Sequence, residues 1–394
     1  MSRINSSMMI LGVTGSVGKQ AADVAQKHHV KVDAISANKS VVETENLVRK
    51  LRPKACAMAD EQSARDLSVR VADLPVKVYS GTDGICEMVA MTETDHERQV
   101  VVNSILGQAG LAPTIATLEA GKQLALANKE SLVVAGEIVM PLAKKQGIDI
   151  LPVDSEHCAI YQCLRAGDPK EIKRIMLTAS GGPFYGYTRK QLESVTKQHT
   201  LAHPTWTMGA KITVDSATMM NKGFEVIEAV HLFGVTTDQI EVTVHRESII
   251  HSAVEYIDNS VIAQLSVPDM RSCVQYALTH PVRVEASVPQ LDWFSVGRLT
   301  FDRPDMQTFS PLRLAFECID KGGALPAVLN AANEICVAAF LNERLSFCGI
   351  MDILEQVVAD VQYAANMHTM DEILACDREA RRLAMHFWKN SNYF

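Results

Sequence analysis

Met8-Met-Ile-Leu-Gly12-Val-Thr-Gly15-Ser-Val-Gly18 runs a short apolar stretch straight into regularly spaced glycines, and a helical stretch follows at once. An apolar run of this length bounded by glycine reads as a buried strand. Glycines at a strand-to-helix junction permit a tight turn and let backbone N–H groups approach an anion such as a pyrophosphate, and the helix N-terminus adds favourable dipole charge. Behind this unit, β-rich runs at Val32–Ala37, Ala55–Ala59, Val76–Tyr79, Val100–Asn103, Gln123–Ala127 and Ile148–Val153 alternate with helical stretches. That alternation predicts an α/β fold with a doubly wound parallel sheet. Ala112-Pro113-Thr114 opens one connecting helix and Gly121 closes it, while another over Ser131–Gln146 stops at Gly147.

The pattern changes near Asp154. Ile172–Thr178, Gln239–Val244, Ile249–Ile257 and Val261–Leu265 carry alternating patterns, with Asp258-Asn259 as a hairpin turn. We therefore expect a Rossmann-like domain over residues 1–153 and an α+β domain with a mixed sheet over 154–286. A Pro- and aromatic-rich linker should occupy 287–311, and a C-terminal helical bundle 312–394, in which Ala324–Arg344 is the clearest helix by period.

Bulk properties narrow the function. At 394 residues the chain should hold two or three domains of roughly 100–200 residues. A net charge of −8 argues against nucleic-acid binding, which demands a basic surface. Nine cysteines without a Cys-x-x-Cys pair suit the reducing cytosol, hence a cytoplasmic protein. The first apolar run is too short for a signal-peptide core or a membrane span.

The second strand discriminates between nicotinamide cofactors. It ends Ser36-Ala-Asn38-Lys39-Ser40, with one cation and no acid. An acid there would bond a ribose 2′-hydroxyl, whereas a cation among small polar groups suits a 2′-phosphate, which favours NADPH. An ordinary solvated lysine is the alternative reading of Lys39.

Leu151-Pro-Val-Asp154-Ser155-Glu156-His157 is the next concentration of chemistry. In extended backbone Asp154 and Glu156 point to one side, where a divalent cation would relieve their repulsion. An all-oxygen set suits Mg²⁺ or Mn²⁺. An acidic cap for a helix beginning near His157 is the equal alternative. Glu225 adds a third carboxylate in a stretch that reads as a helix beginning at Asp215 or Ser216, with Asn221 and Glu225 on one face. Ser216, Asn221 and Lys222 offer charge and directed donors for a phosphate. Thr178-Ala-Ser180-Gly-Gly-Pro-Phe is a Gly-rich loop able to meet an anion, or simply a turn. His203-Pro-Thr-Trp206-Thr-Met208-Gly209 has the composition of a mobile lid, with a buried core Trp as the bland alternative. Asn128-Lys129-Glu130 ends a parallel strand, where open α/β sheets bind ligands and where a lysine could offset oxyanion charge.

These segments together resemble one family, the 1-deoxy-D-xylulose 5-phosphate reductoisomerases. The strings that carry the resemblance are GVTGSVG, ALANKESLVVAGE, LPVDSEHCAIYQ, TASGGPF, HPTWTMGAKITVDSATMMNKGFEVIEA, VIAQLSVPDMR and LNAANEICVAAFL, in family order from about residue 10 to 341. The resemblance implies that Asp154, Glu156 and Glu225 hold a divalent metal, Mg²⁺ or Mn²⁺ with Co²⁺ also admissible. It implies that Lys129, Ser155 and Glu156 contact the reacting end of a sugar-phosphate substrate. Ser180, Ser216, Asn221 and Lys222 would hold the phosphate, with His203 nearby and Trp206–Met208 in the closing loop. Thr14, Gly15, Ser16 and Val17 would take the NADPH phosphates and Asn38, Lys39 and Ser40 the adenosine end. Asn128, Glu130 and Gly209 would stand on the cofactor side. A homodimer through the second domain's open sheet is also implied. The reaction would rearrange the carbon skeleton to an aldehyde, which NADPH then reduces to 2-C-methyl-D-erythritol 4-phosphate.

Val13, Cys158, Thr205 and Ala210 depart from the residues common in that family, and Asn38-Lys39-Ser40 is the least family-like segment. No implied metal or phosphate contact is altered. The rivals are a plain NADP-linked dehydrogenase, which would not need three carboxylates, and a non-catalytic NADPH sensor, which would not need the phosphate residues. A thiol-ester mechanism finds only Cys158 near the motifs.

Overall fold

In β1 (Ser6–Leu11) every residue is buried, and the side chains divide by alternation. Met8 and Ile10 enter one hydrophobic cluster, with Val100 and Val102 beside them. Met9, Leu11 and Val101 enter the other. A strand covered on both faces reads as a continuous apolar run, which is why the sequence marks it so clearly. The computed structural model describes residues 6–202 and 209–390.

Six further strands join β1: β2 (Val32–Ala37), β3 (Ala55–Met58), β4 (Lys77–Ser80), β5 (Arg98–Asn103), β6 (Gln123–Leu126) and β7 (Leu151–Pro152). The sheet order is β4-β3-β2-β1-β5-β6-β7, and all pairs are parallel. The order reverses between β1 and β5, and such a switch point opens a ligand crevice at the carboxyl ends of the strands. The expected strand Ile148–Val153 is shorter than read. The N–H of Ile148 donates to the Ala143 carbonyl at 3.0 Å, so Gly147 and Ile148 close the preceding helix, with Gly147 at φ +67°.

This sheet belongs to a compact unit made of the chain up to Ser131, Val139–Tyr161 and Asp269–Gln290. The helix Arg271–Thr279 packs beside the helix Ser16–Lys27, placing Cys273, Val274, Ala277 and Leu278 in the sheet's larger core cluster.

The second compact unit comprises Leu132–Ile138, Gln162–Pro268 and the chain from Leu291 on. It carries β8 (Ile172–Ala179), β9 (Ile240–Val244), β10 (Ile250–Tyr256) and β11 (Val261–Leu265) in the order β11-β10-β8-β9. The β8–β9 pair is parallel and the others antiparallel, giving the mixed sheet expected from the alternating patterns. Asn259 takes φ +66° in the β10–β11 turn, as an Asn in a tight hairpin can. Helices Ser310–Lys321, Leu325–Leu341, Phe347–Asp360 and Met370–Asn390 pack on one another in the C-terminal part. Among the described residues, no helix is long and apolar enough to cross a membrane.

Candidate active site

The glycine loop follows from steric demands. Gly12 has φ +83°, and a Cβ there would come within 2.9 Å of the Ser104 carbonyl oxygen at the end of β5. At Gly18 a Cβ would run into the Gly12 carbonyl, so only glycine lets the helix start this close to the strand. The N–H groups of Gly12 and Val13 donate to the Ser36 carbonyl at 3.0 and 2.8 Å, which ties the loop to β2. Val13 is fully buried, and the Ser36 bond uses its backbone, not its side chain. Thr14 and Val17 are half-buried, and Gly15 and Ser16 are exposed at the helix N-terminus. Asn38, Lys39 and Ser40 form the turn after β2, and Lys39 lies largely in solvent with its Nζ 3.9 Å from Asp60.

At the carboxyl ends of β6 and β7 the same unit assembles a buried charged group. Lys129 Nζ stands 2.8 Å from Asp154 Oδ2. The His157 ring, fully buried, lies 3.1 Å from Asp154 Oδ1 through its Nδ1. Burial by itself would raise the Asp154 carboxyl, but the Lys129 ammonium and the His157 ring overcome it and hold the group well below the usual carboxylate range.

The segment after β7 is not extended as the alternation argument assumed. A helix runs over Ser155–Cys163, and the Glu156 N–H donates to Asp154 Oδ1 at 3.2 Å. Asp154 therefore caps the helix while its other oxygen meets Lys129, so the capping and ligand-set readings are compatible. Glu156 sits in the first turn with the Ser155 hydroxyl bonded to its carboxylate.

Asn128 and Glu130 are buried beside Lys129. The Asn128 amide nitrogen donates to the carbonyls of Ile105 and Gly107 at 2.6 and 2.8 Å, and its oxygen accepts the Ser131 N–H at 2.9 Å. Asn128 thus fixes the strand end and the start of the helix Glu130–Gln146.

The second unit gathers the other sequence-marked residues. The expected single helix from Asp215 is instead two, Ala210–Ala217 and Met220–Phe233, broken where Met219 takes φ +63°. The Thr218 hydroxyl donates to the Asp215 carbonyl at 3.2 Å, and a residue that bonds its own backbone this way competes with helix continuation. Asn221 and Glu225 still share a face, with Asn221 Nδ2 donating to Glu225 Oε1 at 2.5 Å. Lys222 Nζ forms an ion pair with Glu225 Oε2, and both side chains are almost wholly buried. Gly182 has φ +67°, and a Cβ there would approach the Ser216 carbonyl oxygen to 2.7 Å, so the Ser180–Gly182 loop lies against Ser216. Gly209 precedes the helix that carries Ser216 and is exposed. His203, Trp206 and Met208 lie outside the described residues.

Several supporting residues escaped the sequence reading. Arg246 donates from Nη1 to the carbonyls of Ser180 and Gly182 at 2.9 and 2.7 Å, holding the loop's shape. Nothing in its own neighbourhood of sequence marks it. Asp215, buried, accepts from Asn333 Nδ2 at 2.7 Å and pairs with Lys211 at 2.9 Å. The signal for Asn333 was there: an Asn buried in the largely apolar helix Leu325–Leu341 requires a partner. For His157 the signal was its place three residues after Asp154 at a helix start.

Comparisons with known proteins agree along nearly the whole chain. Residues 8–136 match the family model described as 1-deoxy-D-xylulose 5-phosphate reductoisomerase. Two models of that enzyme's C-terminal domain match residues 150–233 and 265–383. A 1-deoxy-D-xylulose 5-phosphate reductoisomerase of Phocaeicola vulgatus is 47% identical over 384 residues, covering 97% of this chain and 99% of its own. One of Bacteroides fragilis is 48% identical over 377 residues, covering 95% and 96%. Among solved structures, the Zymomonas mobilis reductoisomerase in complex with NADPH superposes with a TM-score of 0.90 at 38% identity, covering 98% of this chain and 100% of that one. A DOX-P reductoisomerase in complex with NADPH, fosmidomycin and magnesium gives a TM-score of 0.91 at 38% identity, with 98% of each chain covered.

Proposed function

The chain belongs to the 1-deoxy-D-xylulose 5-phosphate reductoisomerase family, and on that premise we propose how its own residues divide the reaction. The protein converts 1-deoxy-D-xylulose 5-phosphate to 2-C-methyl-D-erythritol 4-phosphate in isoprenoid precursor synthesis, using NADPH and a divalent metal.

Asp154, Glu156 and Glu225 hold the metal. The all-carboxylate donor set fits a hard divalent cation, Mg²⁺ or Mn²⁺. Asp154 paired with Lys129 and Glu225 paired with Lys222 give such a site buried counter-charges before it is loaded. A bound ion would act there as Lewis acid and template for the substrate's oxygens. Lys129, Ser155 and Glu156 meet the reacting end of the substrate, and Lys129 places an ammonium where negative charge develops on oxygen. Ser180, Ser216, Asn221 and Lys222 hold the phosphate with His203. Trp206 and Met208 complete the substrate-binding residues. The observation that carries this assignment is the Glu225 carboxylate, 1% exposed and set between Asn221 and Lys222 on one helix.

On the cofactor side, Thr14, Gly15, Ser16 and Val17 take the pyrophosphate and Asn38, Lys39 and Ser40 the adenosine end. Asn128 and Glu130 form the surroundings of the nicotinamide, and Gly209 stands on the cofactor side. Residues 1–153 serve the nucleotide and 154–286 serve catalysis and dimerisation, with 287–311 as linker and 312–394 as the helical domain. A homodimer through the open sheet is supported by β11, an edge strand with Val261 and Ile262 exposed. Nine thiols, eight of them buried, support a cytoplasmic location.

Equilibrium dialysis against Mn²⁺ tests the metal assignment. Wild type should bind a single ion per chain, and Asp154→Asn and Glu225→Gln should each weaken it about tenfold or more. Unchanged affinity in both variants would overturn the ligand set.

A further inference from the structure

Each unit carries the same arrangement around its own share of the carboxylates. In the first, Lys129 Nζ is held by Asp154 at 2.8 Å, with both side chains about nine-tenths buried. In the second, Lys222 Nζ is held by Glu225, with the two side chains 5% and 2% exposed. A buried carboxylate without a counter-charge is strongly unfavourable, so an unloaded set of such acids needs cations of its own. Lysine suits that task, because its compact ammonium sits on a flexible four-carbon stem and can be re-aimed without moving the backbone. The pair Lys211–Asp215 makes a contrast. There Lys211 is partly exposed and Asp215 is also fixed by Asn333 from another helix, so that pair ties elements together.

We propose that Lys129 and Lys222 are exchangeable counter-ions of the metal-binding carboxylates. Arrival of the divalent cation releases Lys222 to the substrate phosphate and Lys129 to the reacting oxygens, so metal and phosphate bind cooperatively. The inference rests on the ligand set given under Proposed function. One ammonium cannot neutralise Glu225 and serve the phosphate fully at the same time. Once a divalent ion takes the carboxylate, Lys222 is left buried beside a second positive centre. An incoming phosphate relieves that repulsion, which makes the loaded enzyme the better anion binder. Linkage requires the converse, so phosphate must tighten the metal by the same factor.

The test measures free Mn²⁺ by electron paramagnetic resonance in titrations of the full chain, with and without inorganic phosphate. In wild type, phosphate should tighten Mn²⁺ about tenfold, within the usual range of coupling between sites. Lys222→Met removes the competing cation, so it should bind Mn²⁺ more tightly than wild type in the absence of phosphate and lose the phosphate effect. Lys222→Arg keeps the charge and should restore the weaker Mn²⁺ binding. Equal or weaker Mn²⁺ binding by the Met variant overturns the exchange. If that variant does not fold, wild type decides, because absence of phosphate coupling there overturns it equally. Mn²⁺ binding that Glu225→Gln leaves untouched would instead condemn the ligand set on which the exchange is built.

Discussion

The Lys129 ammonium stands 2.8 Å from Asp154 Oδ2, just past the carboxyl ends of the paired strands β6 and β7. The parallel sheet delivers both groups to one place although they are far apart in sequence. A cation so placed can hold the unloaded carboxylate and later face developing negative charge. Removing one preorganised donor of this kind typically costs about 10²–10³ in kcat. Lys129→Gln should therefore lose activity on that scale while its NADPH dissociation constant, read by fluorescence, stays within about twofold. A matching loss of NADPH affinity would place Lys129 in the cofactor site instead.

The glycine loop after β1 leaves no room at Gly18. A methyl group there meets the Gly12 carbonyl and must push the helix Ser16–Lys27 off β1. Gly18→Ala should raise the NADPH dissociation constant by about tenfold or more and lower the melting temperature, since overpacking costs about 1–3 kcal/mol. Normal NADPH binding by this variant would mean that the loop is not the pyrophosphate site.

Lys39 bears on the choice between NADPH and NADH. It is largely exposed, and its nearest acid is Asp60 at 3.9 Å, whose side chain is occupied capping the next helix through Ser63. Charge-assisted hydrogen bonds contribute about 1.5–3 kcal/mol, so Lys39→Asp should weaken NADPH by roughly tenfold or more. NADH should be little affected. An equal effect on both cofactors would remove Lys39 from the 2′-phosphate.

His231 gives the second unit an acid-sensitive element. Its ring rests against Gly136, where a Cβ would collide with it. Burial pushes its pKa below the ordinary histidine value, with Glu137 acting in the opposite direction. A lowered folded-state pKa means that the unfolded chain takes up the proton first. This contribution to stability is complete above the ordinary value of about 6.5 and is lost as pH falls below it. His231→Gln should therefore shrink the drop in melting temperature between about pH 7.5 and pH 5.5. An unchanged drop would assign the acid sensitivity to other groups.

Much of this was legible in the residues because the local signals were strong. The inner strands β1, β2, β3 and β5 of the first sheet are buried almost throughout, so their apolar runs stand out. Gly12, Gly15 and Gly18 could be read because steric demands leave little choice at such a junction. Signals that depend on distant partners were not legible. The break at Met219 rests on a methionine in the left-handed region, which nothing in its residue type announces. The start of β7 was misplaced because Ile148 closes a helix through Ala143. The helix Arg271–Thr279 packs with the first sheet from far along the chain, and Asn333 reaches Asp215 across more than a hundred residues. For the segment after β7, the alternation reading assumed an extended backbone, whereas Asp154 caps a helix and Glu156 lies within it.

The most direct test of the account is NADPH oxidation by the purified protein with 1-deoxy-D-xylulose 5-phosphate, followed with Mg²⁺ or Mn²⁺ and again after rigorous chelation, in wild type and in Glu225→Gln. Metal-dependent oxidation is expected in wild type and nearly none in the variant, whose NADPH binding stays intact. Oxidation that survives metal removal, or a Glu225→Gln enzyme as active as wild type, would contradict it.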